Sequence, residues 1–375
     1  MTKAKNMKIA LVHDYINEFG GAERTLKVLS EMYPKAPIYT AFRVKQSTAD
    51  RELKGKDIRE SWLAPLLKIW KLYSPLRFLI PLIWGSFDLS KYDLVITSCS
   101  WYVARGFKVG PKTLNIAYCH TPPRWLYGYQ TSVGFTKYWP VKIYSAIVGH
   151  FIRMYDFRTA QKVDFFVANS KEVQARIEKF YRKAAKVIYP PVDTTAIGKT
   201  SGKKEDYFLI ASRLVGAKGI EEAINAFRSK ELSKYKLKIV GEPHGFSDVE
   251  SKIKNQKSNN VEILGRVPDK NLWDLYAKAR GLLVLAREED FGMTPVEAMA
   301  SGTPILAFYG GGYKESIVDG KTGIFIHDTD EKSIKEGIKK LVSTKWDRKV
   351  LQKQAQRFSK EKFKENFSKF VKESI

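Results

Sequence analysis

Cysteine is nearly absent from this chain: Cys99 and Cys119 are the only two in 375 residues. Two thiols inside apolar runs build no disulfide framework, and no Cys/His spacing of a structural metal site accompanies them. A reducing compartment is therefore expected. Long apolar runs are also missing, and none approaches the roughly 18 residues that a spanning helix needs. Residues 1–6 are polar and basic, and the apolar run after Met7 stops at His13-Asp14. That run is too short for the core of a secretory signal, and Met7 is itself a candidate start. There is no short repeat and no low-complexity segment. Acidic residues are scarce, 40 against 65 basic ones, for a net charge of +25. Between residues 61 and 162 only three acids face 13 basic residues. Such a field attracts a lipid surface, a nucleic acid or a phosphorylated acceptor, and charge alone does not choose among them.

What is present is a globular composition, 44% hydrophobic, in a chain long enough for two cores. Short β-rich runs alternate with helical periodicity, the pattern of parallel α/β units. In the first half the strands are expected at 8–13, 37–42, 94–99, 114–119 and 165–169, with helices at 22–32 and 171–181. A polar stretch, 194–206, reads as a linker. The alternation then restarts with strands at 207–211, 237–240, 261–264, 282–285 and 305–308 and helices at 219–227, 271–280 and 295–300. This gives an α/β fold in two domains, 1–193 and 194–350, followed by a basic helical end, 351–375.

The most informative segment runs from Arg287 to Pro304. A loop with acids and a glycine, Glu289-Asp290-Phe291-Gly292-Met293, follows a strand and precedes a helix. Thr294 suits the N-cap and Pro295 the first helical position. The unpaired N–H groups of that turn, with the helix dipole, suit a pyrophosphate. Thr294-x-x-Glu297 also fits a capping box, in which Glu297 only closes the helix start, so both readings of Glu297 stand. Glu289 has no such local explanation beyond a solvated loop acid.

The spacing Glu289-x7-Glu297, the Phe291-Gly292 after the first Glu, and Glu297-Ala298-Met299-Ala300-Ser301-Gly302-Thr303-Pro304 resemble the retaining GT-B glycosyltransferases of the large fourth family. The likeness extends in order over about residues 7–345 and is nearest to a mannosyltransferase-like branch, through Leu11–Tyr15 and Gly20-Gly21-Ala22-Glu23-Arg24. It implies two Rossmann-like domains with parallel sheets facing a central cleft, with the end of the chain crossing back to the first domain. It further implies transfer of a hexose, with mannose from GDP-mannose favoured, from a nucleotide diphosphate sugar to a glycolipid or polysaccharide precursor. Retention of configuration and no obligatory metal or cofactor are implied as well. Arg213 and Lys218 would grip the donor pyrophosphate, where fixed cations stabilise the charge on a departing diphosphate. Both also fit an ordinary surface helix start.

Within the same resemblance, Glu289 would hold sugar hydroxyls and Glu297 the ribose. His120, at the carboxyl end of a strand where open α/β sheets bind ligands, would stand beside the reacting sugar. Gly20, Gly21, Gly241, Phe291, Gly292, Met293 and Thr294 would line the donor, with the Val267 backbone near the base. Arg124 would meet an acidic part of acceptor or donor. The glycines 311 and 312 match a family loop that in part just turns the chain. Two further readings stay open: a phosphorylase or hydrolase on the same fold, and a non-enzymatic polyanion binder. The second leaves the coincidence of the motifs unexplained, and no nucleic-acid partner is expected.

Residues 62–87 mix Trp62, Trp70, Tyr73, Phe78, Trp84 and Phe87 with Lys68, Lys71 and Arg77, and residues 138–158 raise the same question. Aromatics among basic and aliphatic residues suit either a membrane interface or core helices with a basic outer face. The expected location is cytoplasmic, peripheral on the inner face of an anionic membrane.

Overall fold

The computed structural model describes residues 7–69, 72–129, 139–242 and 259–375. Trp70, Lys71 and Tyr138 lie outside the described residues. The described residues divide into two compact units, one holding those up to Pro191 together with Phe363–Ile375, the other holding those of Val192–Lys362.

The first unit is built on seven parallel strands: β1 (Ile9–His13), β2 (Ile38–Thr40), β3 (Ile58–Glu60), β4 (Leu94–Cys99), β5 (Leu114–Cys119), β6 (Phe165–Ala168) and β7 (Ala185–Val187), in the order β3-β2-β1-β4-β5-β6-β7. β4 is buried at every residue, as its β-branched centre requires in a sheet covered on both faces. One layer packs Phe42, Trp84 and Tyr102 over the sheet, and Trp84 donates its indole N–H to the Tyr102 carbonyl at 2.8 Å. The other layer joins Leu11, Leu26, Ile96 and Tyr118 to Phe363, Phe367 and Val371 from the last helix, Lys360–Ser374. Arg105 and Asp156, both buried, form an ion pair inside this unit.

The second unit has six parallel strands: β8 (Tyr207–Ala211), β9 (Lys236–Val240), β10 (Val261–Gly265), β11 (Gly281–Val284), β12 (Ile305–Phe308) and β13 (Gly323–Ile326), in the order β10-β9-β8-β11-β12-β13. In each sheet the order reverses at the first strand, between β1 and β4 and between β8 and β11. Open α/β sheets bind ligands at such points, beyond the carboxyl ends of the strands.

The structure departs from the sequence reading in three places. The stretch 194–206 is not a plain linker, because helix Thr194–Gly198 opens it. Asp193 caps that helix from the Ala196 N–H at 3.1 Å, and Gln352 bonds the Gly198 carbonyl at 3.3 Å. The basic end is two helices, Arg348–Gln356 and Lys360–Ser374. They part at Phe358, which is buried against Phe291 with ring centroids 5.3 Å apart, while its carbonyl accepts from Val192. The third departure lies at Thr294, in the site.

Candidate functional site

In the second unit the site is assembled at the carboxyl ends of β8 and β11. After β8 the chain makes the short turn Gly216–Lys218 and then Gly219, at φ +70°, starts the next helix. A β-carbon on Gly219 would lie 2.5 Å from that of Leu285, so only glycine lets this turn approach the end of β11 so closely. That approach brings the Lys218 ammonium to 2.5 Å from Glu289 Oε2, with both side chains largely shielded. The Tyr313 hydroxyl also donates to Glu289 Oε2, at 3.2 Å. The glycine loop after β12 holds the Glu289 backbone: Gly312 N–H donates to the Glu289 carbonyl at 2.9 Å, and Gly311, at φ +50°, has room for no β-carbon beside that oxygen. The loop that in sequence just turns the chain therefore sets the position of Glu289. Arg213 follows β8 on the same side of the sheet and is exposed.

Helix Met293–Ala300 begins earlier than Thr294, and this corrects the expected cap. Its N-cap is Gly292, at φ +82°, with no side-chain cap. Buried Phe291 fixes the entry, and the left-handed glycine turns the chain straight into the helix. Met293 and Thr294 are thus the first two helical residues and Pro295 the third. Glu297 lies beyond the first turn, away from a capping-box position. It is buried instead, and its Oε2 accepts from the hydroxyl of Tyr276, a fully buried residue, at 3.0 Å.

Gly241, at φ +147°, ends β9 against the backbone of Ser212, and its N–H donates to the Gly265 carbonyl at 2.9 Å. Val267 lines a cavity of about 300 Å³ with Glu205, Tyr207, Lys238 and Asn271. Since Glu205 and Tyr207 stand at the amino end of β8, this cavity is a different place from the Lys218–Glu289 pair. An Asp-x-Asp tripeptide, Asp328-Thr329-Asp330, serves the fold: Asp328 pairs with Arg287 at 2.7 Å and Asp330 caps helix Glu331–Ser343.

In the first unit the parallel register places three carboxyl-end residues in a chain of polar contacts. His13 and Ser98 are partners across β1 and β4. Ser98 Oγ lies 3.0 Å from His13 Nδ1 and 2.8 Å from His120 Nε2, and His13 Nε2 lies 3.5 Å from Glu23. Glu23 also accepts the Gly20 N–H at 3.0 Å, so the Gly20-Gly21 turn is tied to the same chain. Burial, with the nearby His13, lowers the His120 pKa to about 3, so the ring is neutral at neutral pH. Asn169 donates to the His120 carbonyl at 2.9 Å. Asp14 is buried and accepts from Ser100 and Ala104 N–H groups, and its burial raises its pKa. Arg124 opens a short turn, Arg124–Leu126, close in sequence to His120 and half-buried. The sequence points to His120 but not to Ser98. It carries His13 and Glu23 only as members of the motif stretches Leu11–Tyr15 and Gly20–Arg24, with no role for either.

Comparison with known proteins adds identity to this geometry. Residues 19–196 match the model of Glycosyltransferase Family 4, and residues 193–361 match that of Glycosyl transferases group 1. The chain is 25% identical to an uncharacterized glycosyltransferase of Methanocaldococcus jannaschii, over 58% of this chain and 59% of that protein. It is 38% identical to a lipopolysaccharide core biosynthesis mannosyltransferase of Rhizobium leguminosarum, over 22% of each. The aligned stretches span less than two thirds of the length of the curated relatives the chain matches. Among solved structures, Anabaena HepE in complex with UDP and glucose superposes with a TM-score of 0.71 at 17% identity, covering 98% of this chain and 100% of that one. A sucrose-phosphate synthase from Thermosynechococcus elongatus superposes at 0.70 and 16% identity, over 98% and 99%. Both share the fold of two Rossmann-like units. With one family model on each half and this architecture throughout, the chain belongs to the GT-B glycosyltransferases of the family 4, group 1 type.

Proposed function

We propose that this chain transfers a hexosyl group, mannose from GDP-mannose in the first instance, to a hydroxyl of a glycolipid or polysaccharide precursor with retention of configuration. The observation that carries the reading is the Lys218–Glu289 pair, held by Gly219 and Gly311 at the β8–β11 reversal. It supplies a fixed cation for a diphosphate and a carboxylate for sugar hydroxyls within one hydrogen bond of each other. Mannosyl transfer is supported by the Rhizobium relative and by the name of a second one, the mannosylfructose-phosphate synthase of Agrobacterium fabrum, 31% identical over 39% of this chain and 35% of that protein. Nucleotide-sugar use is supported by the UDP bound in the HepE structure.

In this scheme Arg213 and Lys218 take the growing charge of the departing diphosphate, a role that requires no metal. Gly292, Met293 and Thr294 offer backbone to the phosphates, with Gly241 and the Val267 backbone, which follows the carboxyl end of β10 outside that cavity's amino-end part, beside the nucleoside. Glu297 takes the ribose with one carboxylate oxygen while Tyr276 holds the other. Neutral His120 hydrogen-bonds the sugar, its ring steadied through Ser98 by His13. Gly20 and Gly21 allow close approach, and Arg124 meets phosphate or acceptor. The C1–oxygen bond to the diphosphate breaks as the acceptor oxygen binds C1 on the same face, and the acceptor proton passes to the departing phosphate oxygen.

Titration calorimetry with GDP and UDP, beside a transfer assay on the sugar nucleotides, tests this. Glu289→Gln should leave nucleotide diphosphate binding intact, since that ligand lacks the sugar, and abolish most turnover. Glu297→Gln should weaken nucleotide binding by about tenfold, the worth of a charge-assisted hydrogen bond. Full activity in Glu289→Gln would refute the site, and phosphate-dependent cleavage of a disaccharide would move the enzyme to the phosphorylases.

A further inference from the structure

Helix Trp139–Gln161 runs 23 residues, about 34 Å at the ordinary helical rise. Its buried residues are Gly149, Ile152, Asp156, Thr159 and Ala160, which form one face against the first unit. The opposite face is open and largely apolar, with exposed His150 and Arg158 within it: Trp139 is 73% exposed, Ile143 52%, Ile147 55%, Phe151 64%, Met154 39% and Phe157 37%. At 100° per residue these six fall within an arc of about 120°, so they form a stripe and not a scatter. A second exposed apolar set, Trp62, Leu66, Ile69, Phe78 and Leu82, comes from the segment beside it. Tyr144 on the helix joins the two by donating its hydroxyl to the Pro75 carbonyl. Soluble monomers rarely leave a contiguous apolar surface of this kind without a partner.

The charges around the stripe say which partner. Lys142 and Arg158 are exposed on the helix and Lys162 directly follows it. The helix's one carboxylate, Asp156, is fully buried and taken up by Arg105, Tyr127 and Tyr181. The solvent side therefore carries positive charge and no negative charge. A second copy of the same face would bring only like charges together, whereas an anionic lipid headgroup layer complements them. No helix among the described residues is long and apolar enough to cross a membrane. With one side packed along several turns, this one is restricted to lying in the interface.

We propose that the stripe from Trp139 to Phe157, continued by Trp62, Leu66, Ile69, Phe78 and Leu82, is a docking surface for an anionic phospholipid layer, with the helix axis parallel to it. The inference uses no residue of the transfer chemistry. Sedimentation of the full chain with vesicles of phosphatidylcholine alone, or mixed with phosphatidylglycerol, tests it. Binding to the mixed vesicles is expected, weaker with neutral lipid and weakened by added salt. Ile147→Ser with Phe151→Ser should lower the partition coefficient at least about tenfold, since two inserted side chains are lost. Melting temperature should be unchanged, because both side chains are exposed. Lys142→Glu with Arg158→Glu should remove the preference for anionic lipid. No vesicle binding by the parent chain, or equal binding by the serine variant, would overturn the proposal. A parent dimer that the serine variant makes monomeric, with no vesicle binding, would assign the face to a second copy instead.

Discussion

Replacing His120 by Gln puts an amide where the ring Nε2 meets Ser98, while removing a group that cannot be protonated in the folded protein. Burial and His13 hold the His120 pKa at about 3, whereas an unfolded histidine titrates near 6.5. The surroundings are His13 from β1, Ser98 from β4, the Tyr118 ring 5.1 Å away, and Asn169. None of the described neighbours at hydrogen-bond distance is a carboxylate that would stabilise an imidazolium. Below pH 6.5 the unfolded chain therefore gains a proton that the folded chain refuses. The stability contributed by this site is complete above that pH and is lost as pH falls toward 3. Linkage puts the loss at about 2 kcal/mol between pH 7.5 and pH 5.0. Urea unfolding followed by tryptophan emission reads it, because six of the eight tryptophans fall in the segments of the first unit. The parent should lose about 2 kcal/mol more than His120→Gln over that range. Ring-carbon NMR should show His120 neutral down to pH 5. A midpoint near 6.5 for His120, or identical pH slopes for the two proteins, would refute the reasoning.

Removing Asp156 leaves Arg105 charged and buried, with Tyr127 and Tyr181 without their shared acceptor. Asp156→Ala should cost about 3–5 kcal/mol in urea unfolding, and an unchanged midpoint would contradict the buried pair. Gly311→Ala places a β-carbon 2.3 Å from the Glu289 carbonyl at a left-handed φ, whereas Gly320→Ala, at φ +69°, meets nothing within 4 Å. The first should destabilise by about 2–4 kcal/mol and reduce turnover, the second by about 1 kcal/mol with turnover intact; equal effects would dismiss the close approach. Tyr276→Phe takes a hydroxyl from buried Glu297 and should cost about 1–2 kcal/mol, with weaker nucleotide binding by calorimetry.

Strands made mostly of apolar residues are legible in the sequence alone. The runs 94–99, 114–119, 207–211 and 305–308 are strands over those same residues. Strands β3, β7 and β13 are not legible in this way. The first two are three-residue strands at the sheet edges, only partly buried, so no periodic apolar signal marks them. The third opens on Gly323, whose β-carbon would meet the Ile305 carbonyl, a requirement of its neighbour and not of its own sequence. Lys218 and Glu289 can be named by motif, but their 2.5 Å meeting depends on Gly219 lying against Leu285, which follows β11 three strands later in the chain. Thr294 misleads for a local reason: a threonine before a proline looks like a cap until a left-handed glycine two residues earlier takes that position. Ser98 carries no signal of its own because its partners, His13 and His120, are set by strand register across 85 and 22 residues.

Phe363, Phe367 and Val371 complete a core whose other members lie between Leu11 and Ile188. A ribosome therefore finishes the whole of Val192–Lys362 before it supplies the last apolar side chains that the first unit needs. During synthesis the early-made sheet waits with one face incompletely covered, while the later-made unit already holds every residue of its own core. Order of manufacture and order of completion are thus reversed, and the first unit's surface around Tyr118 is left uncovered until Phe363 and Phe367 are made.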